Sequence, residues 1–100
     1  MEKRKPHYDL ASIKATFATV EALRMTKTAQ DCALALGLLL QGVVDLIQEM
    51  TREQFYKSMT SKANAAVWQD VYFVPWGGTV LYVKFTTDAE GYLVISFKEK

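Results

Sequence analysis

Two hydrophobic periods divide this chain, and the change between them near Thr51 limits what it can fold into. Before that point apolar residues recur three and four apart, the spacing of helices that bury one side. Asp9 stands where a cap is needed, ahead of Leu10, Ile13, Phe17 and Val20. Tyr8 and Ile13 are spaced to staple the start of that helix. "LRMT" (23–26) reads as a short strand. Thr28 then caps a second helix with Ala29, Cys32, Ala33 and Leu36 on one side, and Gly37 ends it. A third helix from about Gln41 carries Val43, Leu46, Ile47 and Met50.

After Thr51 the period falls to two. "TREQ" closes one helical turn, with Thr51 and Gln54 at capping-box spacing. Strands follow over 55–60, roughly 67–74, 80–86 and 92–98, and Gly77-Gly78 and "DAEG" (88–91) supply hairpin turns. Helices first and neighbouring strands later predict an α+β fold: N-terminal helices packed on one face of a curved, mostly antiparallel sheet. The other face is left open. A chain of 100 residues, 1–100, is enough for one domain with one core.

Composition narrows the function. Half of the residues are apolar, 23% are charged, and the net charge is only +1, so no overall basic footprint marks a nucleic-acid partner. Phosphate binding has to come from local clusters. The single Cys32 cannot form an internal disulfide and reads as a small core residue in a reducing cytoplasm. No apolar stretch follows the charged "MEKRKPHYDL" start as a secretory signal needs, and "ALALGLLLQGVV" is too broken to span a membrane. One histidine, His7, beside Pro6, leaves no material for a serine triad or a histidine metal site. The "EKRK" start reads first as a solvated charge run, Trp68 as a core residue.

The strands carry polar side chains that a core does not require. In "FYKSMT" (55–60), simple alternation puts Lys57 on one face between Phe55 and Met59. "WQDVYF" carries Gln69. In "VLYVKF", Leu81, Val83 and Phe85 form a core face and leave Tyr82 and Lys84 opposite. In the last strand Leu93, Ile95 and Phe97 oppose Val94, Ser96 and Lys98. A lone strand lysine is ordinarily solvated or guards an edge. The sequence does not set the phase of the first two strands relative to the last two, but polar residues on all four strands make the open face a candidate binding surface.

The blocks "MEKRKPH", "FYKSMT", "WQDVY", "LYVK" and "VISFKEK", in this order and over the whole chain, resemble the MqsR family of bacterial type II toxins, which have a RelE-like fold. That resemblance implies a ribosome-independent mRNA endoribonuclease that prefers GC-containing triplets such as GCU and needs no cofactor or metal. It implies two partners: the mRNA substrate, and a cognate MqsA-like antitoxin that binds zinc and DNA. No membrane is involved. Matched by position, the resemblance places catalytic residues at Lys57, Gln69, Tyr82 and Lys98, with Met59 nearby. Lys84, in the same polar set, is read with Met59 as substrate-binding.

RNA brings its own nucleophile, the 2′-hydroxyl, to such a site. Attack on the adjacent phosphorus gives a 2′,3′-cyclic phosphate and a 5′-hydroxyl, and the protein must align it, move a proton and stabilise charge. Lys57, facing a phosphate in a shallow cleft, and Lys98 are expected to supply positive charge. Tyr82 is expected to shuttle the proton and Gln69 to orient a base or ribose. The family expectation of a basic residue after "WQDVY" fails at "FVPW" (73–76), and an acidic, histidine-bearing stretch is replaced by "KANAA" (62–66). Both departures imply weaker RNA binding or a shifted preference. The alternative readings are a non-catalytic RNA- or protein-binding module and a structural α+β domain.

Overall fold

A computed structural model describes all of residues 1–100. Three helices, α1 (Leu10–Thr16), α2 (Lys27–Leu36) and α3 (Leu40–Glu49), precede most of the sheet. The strands are β1 (Glu2–Lys3), β2 (Phe55–Thr60), β3 (Trp68–Trp76), β4 (Thr79–Thr87) and β5 (Leu93–Glu99). They lie in the order β1-β2-β3-β4-β5, every neighbouring pair antiparallel. The helices cover one face, and the fold is α+β as the change of period implies.

The core forms between that face and the helices. Ile13 and Phe17 from the first helical segment, Ala29 and Ala33 from α2, and Val43 and Ile47 from α3 meet Tyr72, Val83, Phe85, Ile95 and Phe97. Each large side chain removed from water in this way contributes roughly 1.5–3 kcal/mol. No single helix is long and apolar enough to cross a membrane.

The sequence misplaces several helix ends, and tertiary contacts explain why. α1 stops at Thr16, short of Val20, which belongs to a separate turn of 3-10 helix, Val20–Ala22. Its last carbonyls are taken up by α3, where the Gln48 side-chain amide donates to Lys14 O at 2.8 Å and Phe17 O at 3.3 Å. The cap of α2 is Thr26, two residues before Thr28. Its hydroxyl accepts from the Ala29 N–H and donates to Ser96 Oγ at 2.8 Å, tying the helix start to β5. The short strand expected over 23–26 is reduced to one bridge, Met25 to Ile95. Gly37 ends α2 in the left-handed conformation (φ 70°), and the Thr51–Gln54 capping box forms.

The N-terminal charge run is only half free in solvent: Arg4 and Lys5 are exposed, but the two residues before them are built into the sheet. Glu2 and Lys3 pair with Met59 and Ser58 as an edge strand. Asp70 anchors the segment that follows. Wholly buried, its carboxylate accepts from the backbone N–H groups of His7 and Tyr8 at 3.1 and 2.8 Å and from the Ser58 hydroxyl at 2.6 Å. Trp68 stays outside the core, half-buried with the Lys3 ammonium 4.1 Å from its ring centre and His7 stacked on it at 5.5 Å.

Candidate active site

The open face begins with an irregularity in β2. Phe55 pairs with Tyr72, but Lys57 pairs with Val71, so one extra residue sits between them on the β2 side. This β-bulge breaks the alternation that would put Phe55, Lys57 and Met59 on one face. Phe55 turns inward and packs edge-on against Tyr72 at 5.5 Å. Tyr56 and Lys57 both turn outward. The lysine is therefore no interruption of an apolar stripe.

Pairing registers place the remaining side chains. Lys57 lies across from Val71, and Val71 from Lys84, which in turn faces Ser96. Tyr82 lies between Phe73 and Lys98. Met59 pairs with Gln69 one step along β2 and β3. A row of rings crosses the face: Tyr56 stacks on Phe73 at 4.6 Å, and Phe73 meets Tyr82 at 5.9 Å. Ammonium groups flank it. Lys98 Nζ is 5.6 Å from the centre of the Tyr82 ring, Lys100 Nζ 4.5 Å from that of Phe73, and Lys57 Nζ 5.3 Å from that of Tyr56.

Of the expected residues, Tyr82, Lys84 and Lys98 come together around a depression of about 270 Å³ that also has Thr28, Ser96 and Phe97 in its wall. Lys57 stands across the sheet from it, beyond Phe73 and Val71. Gln69 and Met59 form a neighbouring pair outside the depression. A larger hollow of about 410 Å³ between α3 and β3 bears Asp45 and Glu49 and no cation, so it suits no phosphate.

Lys57 has an occupant. Its ammonium donates to Glu2 Oε2 of β1 at 3.1 Å, with 20% of the lysine side chain exposed. That hydrogen bond raises the lysine above its ordinary pKa, against a smaller opposing effect of desolvation, and the charges of Glu2, Tyr56 and Tyr82 add to the rise. Lys57 is thus a firm cation at neutral pH and no base. Cys32, on the helix side, has its thiol raised by burial and then by the charge of Glu99. It stays a protonated, half-buried core neighbour, as its lack of activating partners implied.

Two members of the open face escape sequence reading. Tyr56 faces outward only because of the bulge, which leaves no mark in "FYKSMT". Glu2 looks like one letter of a charge run until β1 is paired.

Comparison with known proteins meets this arrangement from a different direction. Residues 5–99 match the family described as "Motility quorum-sensing regulator, toxin of MqsA". The chain belongs to the MqsR toxin family. A relative from Escherichia coli (strain K12), the mRNA interferase toxin MqsR, is 37% identical over 100 residues, covering all of both chains. The family match spans every strand of the open face except the first pair, Glu2 and Lys3. Within this MqsR-family chain, "FVPW" places a phenylalanine between Tyr56 and Tyr82, so where positive charge was expected there is a ring.

Proposed function

We propose that this chain is the mRNA-cleaving toxin of a toxin–antitoxin pair, working without the ribosome and halting translation and growth. The observation that carries the reading is the open face itself: lysines from β2, β4 and β5 surround aromatic rings on a sheet whose other face packs against the helices. Such a face suits single-stranded RNA, with phosphates for the ammonium groups and bases for the rings.

Lys57 and Lys98 stabilise the phosphoryl oxygens, and Tyr82 hands a proton to the departing 5′ oxygen. Gln69 and Met59 hold a neighbouring base or ribose, and Lys84 neutralises a phosphate at the depression. Cleavage runs through 2′-hydroxyl attack, with no metal ion required for the nucleophile, and GC-containing triplets of the GCU kind are the expected sites. The name of the matched family, toxin of MqsA, supports an antitoxin partner for this chain, and we take that antitoxin to bind zinc and DNA. The site of action is the cytoplasm, where mRNA is met.

The test is cleavage of a defined mRNA by purified protein in EDTA, without ribosomes, with 5′ ends mapped. Clustered cuts at GC-containing triplets, reduced about 100-fold or more in Lys57→Ala and Tyr82→Phe, bear the reading out. A well-folded parent that binds this RNA without cutting it makes the chain a binding module.

A further inference from the structure

Resting on the reading above, we propose that Glu2 is the general base of the cleavage, taking the proton from the attacking 2′-hydroxyl. Attack by the 2′-hydroxyl requires a proton acceptor, and the expected residues on this face are lysines, a tyrosine, an amide and a thioether. Ammonium groups and phenols, with ordinary pKa values of about 10, stay protonated in neutral water and are poor proton acceptors. No imidazole is available, because His7 is stacked on Trp68 and hydrogen-bonded to Lys3 away from this surface.

Glu2 fills the gap. Its pairing with Met59 puts it on the outward face of β1, and its carboxylate reaches over β2 to Lys57. Only Oε2 is engaged, in that one bond, and 58% of the side chain is exposed, so Oε1 is open to substrate. The other carboxylates of these strands are spent elsewhere. Asp70 is buried on the helix side with three donors, and Glu99 alternates to the side of Leu81 and Cys32. The charged groups near Glu2 are Lys57 from β2, the one strand that β1 pairs with, and on its own segment the Met1 nitrogen, held by the Thr60 hydroxyl at 3.2 Å. Lys3 points to the opposite face, over Trp68.

The pair divides the work. Lys57 draws the phosphate to the carboxylate and offsets the repulsion between two anions. Glu2 takes the 2′-hydroxyl proton as the O2′–P bond forms. The P–O5′ bond breaks, and the 5′ oxygen takes a proton from Tyr82, which contacts Phe73 from β4 as Tyr56 does from β2. The products are a 2′,3′-cyclic phosphate and a 5′-hydroxyl. Glu2 ends protonated and Tyr82 deprotonated, and one proton returned through solvent restores both. Lys57 therefore orients the base as well as binding substrate, which gives a physical reason for a lysine held beside an acid on an otherwise cationic face.

Glu2→Gln, which keeps the shape and a bond to Lys57, tests the assignment. Cleavage of the defined mRNA at pH 7 is expected to fall about 100-fold or more. Binding of the same RNA with a 2′-deoxy residue at the cut site is expected to stay level or tighten, since a negative charge is gone. Glu2→Asp should recover part of the rate. Cleavage by Glu2→Gln at or above the parental rate overturns the assignment and makes Glu2 a plain competitor for Lys57. A parent that cuts no RNA overturns the endoribonuclease reading as well, so the two failures are told apart by the parent alone.

Discussion

Asp70 and Glu2 are both carboxylates that bind the N-terminal segment to the β2–β3 part of the sheet, and they do it on opposite faces. Asp70 is wholly buried and accepts three hydrogen bonds. Glu2 is mostly exposed and accepts one, from a lysine. A buried ion with its lone pairs filled is costly to disturb, because removing it strands its donors. An exposed ion pair contributes little to stability and keeps its chemistry available. The covered face thus spends its polar groups on holding the fold, and the open face leaves its polar groups free to meet a ligand.

The largest effect expected from this contrast is on the covered face. Asp70→Ala strands the N–H groups of His7 and Tyr8 and the Ser58 hydroxyl, and should cost about 3 kcal/mol. In a domain of this size that lowers Tm by more than 10 °C. Thermal melts by circular dichroism read it directly, and a fall below 3 °C would break the comparison. Ser58→Ala removes one of the three donors and should fall between Asp70→Ala and the parent.

The open face should respond in the reverse sense. Lys84 is partly exposed and its side chain makes no hydrogen bond or ion pair, so in Lys84→Ala stability should stay within about 0.5 kcal/mol of the parent. Affinity for single-stranded RNA should drop several-fold, and the slope of log K against log salt should shrink by about 0.7. An unchanged slope with a lowered Tm would place Lys84 with the structural residues and remove it from the binding face.

The same contrast explains what could be read from the chain in advance. Both sides of β4 and β5 are legible in "VLYVKF" and "LVISFK", because strict alternation assigns Leu81, Val83 and Phe85 to the core and Tyr82 and Lys84 to the open face. Gly77 and Gly78, with φ of 55° and 83°, close the β3–β4 hairpin where "GG" says they should. β2 is not legible in this way, since a bulge shifts the phase of Tyr56 and Lys57 without altering composition. Nor is β1. Two residues carry no period, and only the Met59 and Ser58 backbone shows that Glu2 and Lys3 are a strand. The cap at Thr26 is hidden for a related reason, because Ser96, 70 residues away, is what selects it over Thr28. The candidate residues came from a family likeness joined to alternation; the acid beside Lys57 came from neither.

The smallest effect belongs to the covered face again, at a place where it is imperfect. Tyr72 is fully buried, packed edge-on between Phe55 and Phe85, and its hydroxyl has no hydrogen-bond partner. Burial, and after it the charge of Asp70, pushes the phenol up to about 12, with Arg52 opposing. Tyr72→Phe keeps the ring and removes the stranded hydroxyl, so it should stabilise the fold by about 1 kcal/mol, or raise Tm by about 4–8 °C. The pH dependence follows from the direction of the shift. In the unfolded chain a tyrosine ionises near pH 10, while the buried phenol holds its proton to about 12. The unfolded state therefore loses the proton first, and the parent loses stability as pH rises from about 10 to about 12. Tyr72→Phe lacks this contribution, so urea midpoints of the two proteins should diverge further over that window, with the variant ahead. A variant less stable than the parent at pH 7 would mean that the hydroxyl is bonded after all. The covered face would then be as fully satisfied at Tyr72 as it is at Asp70.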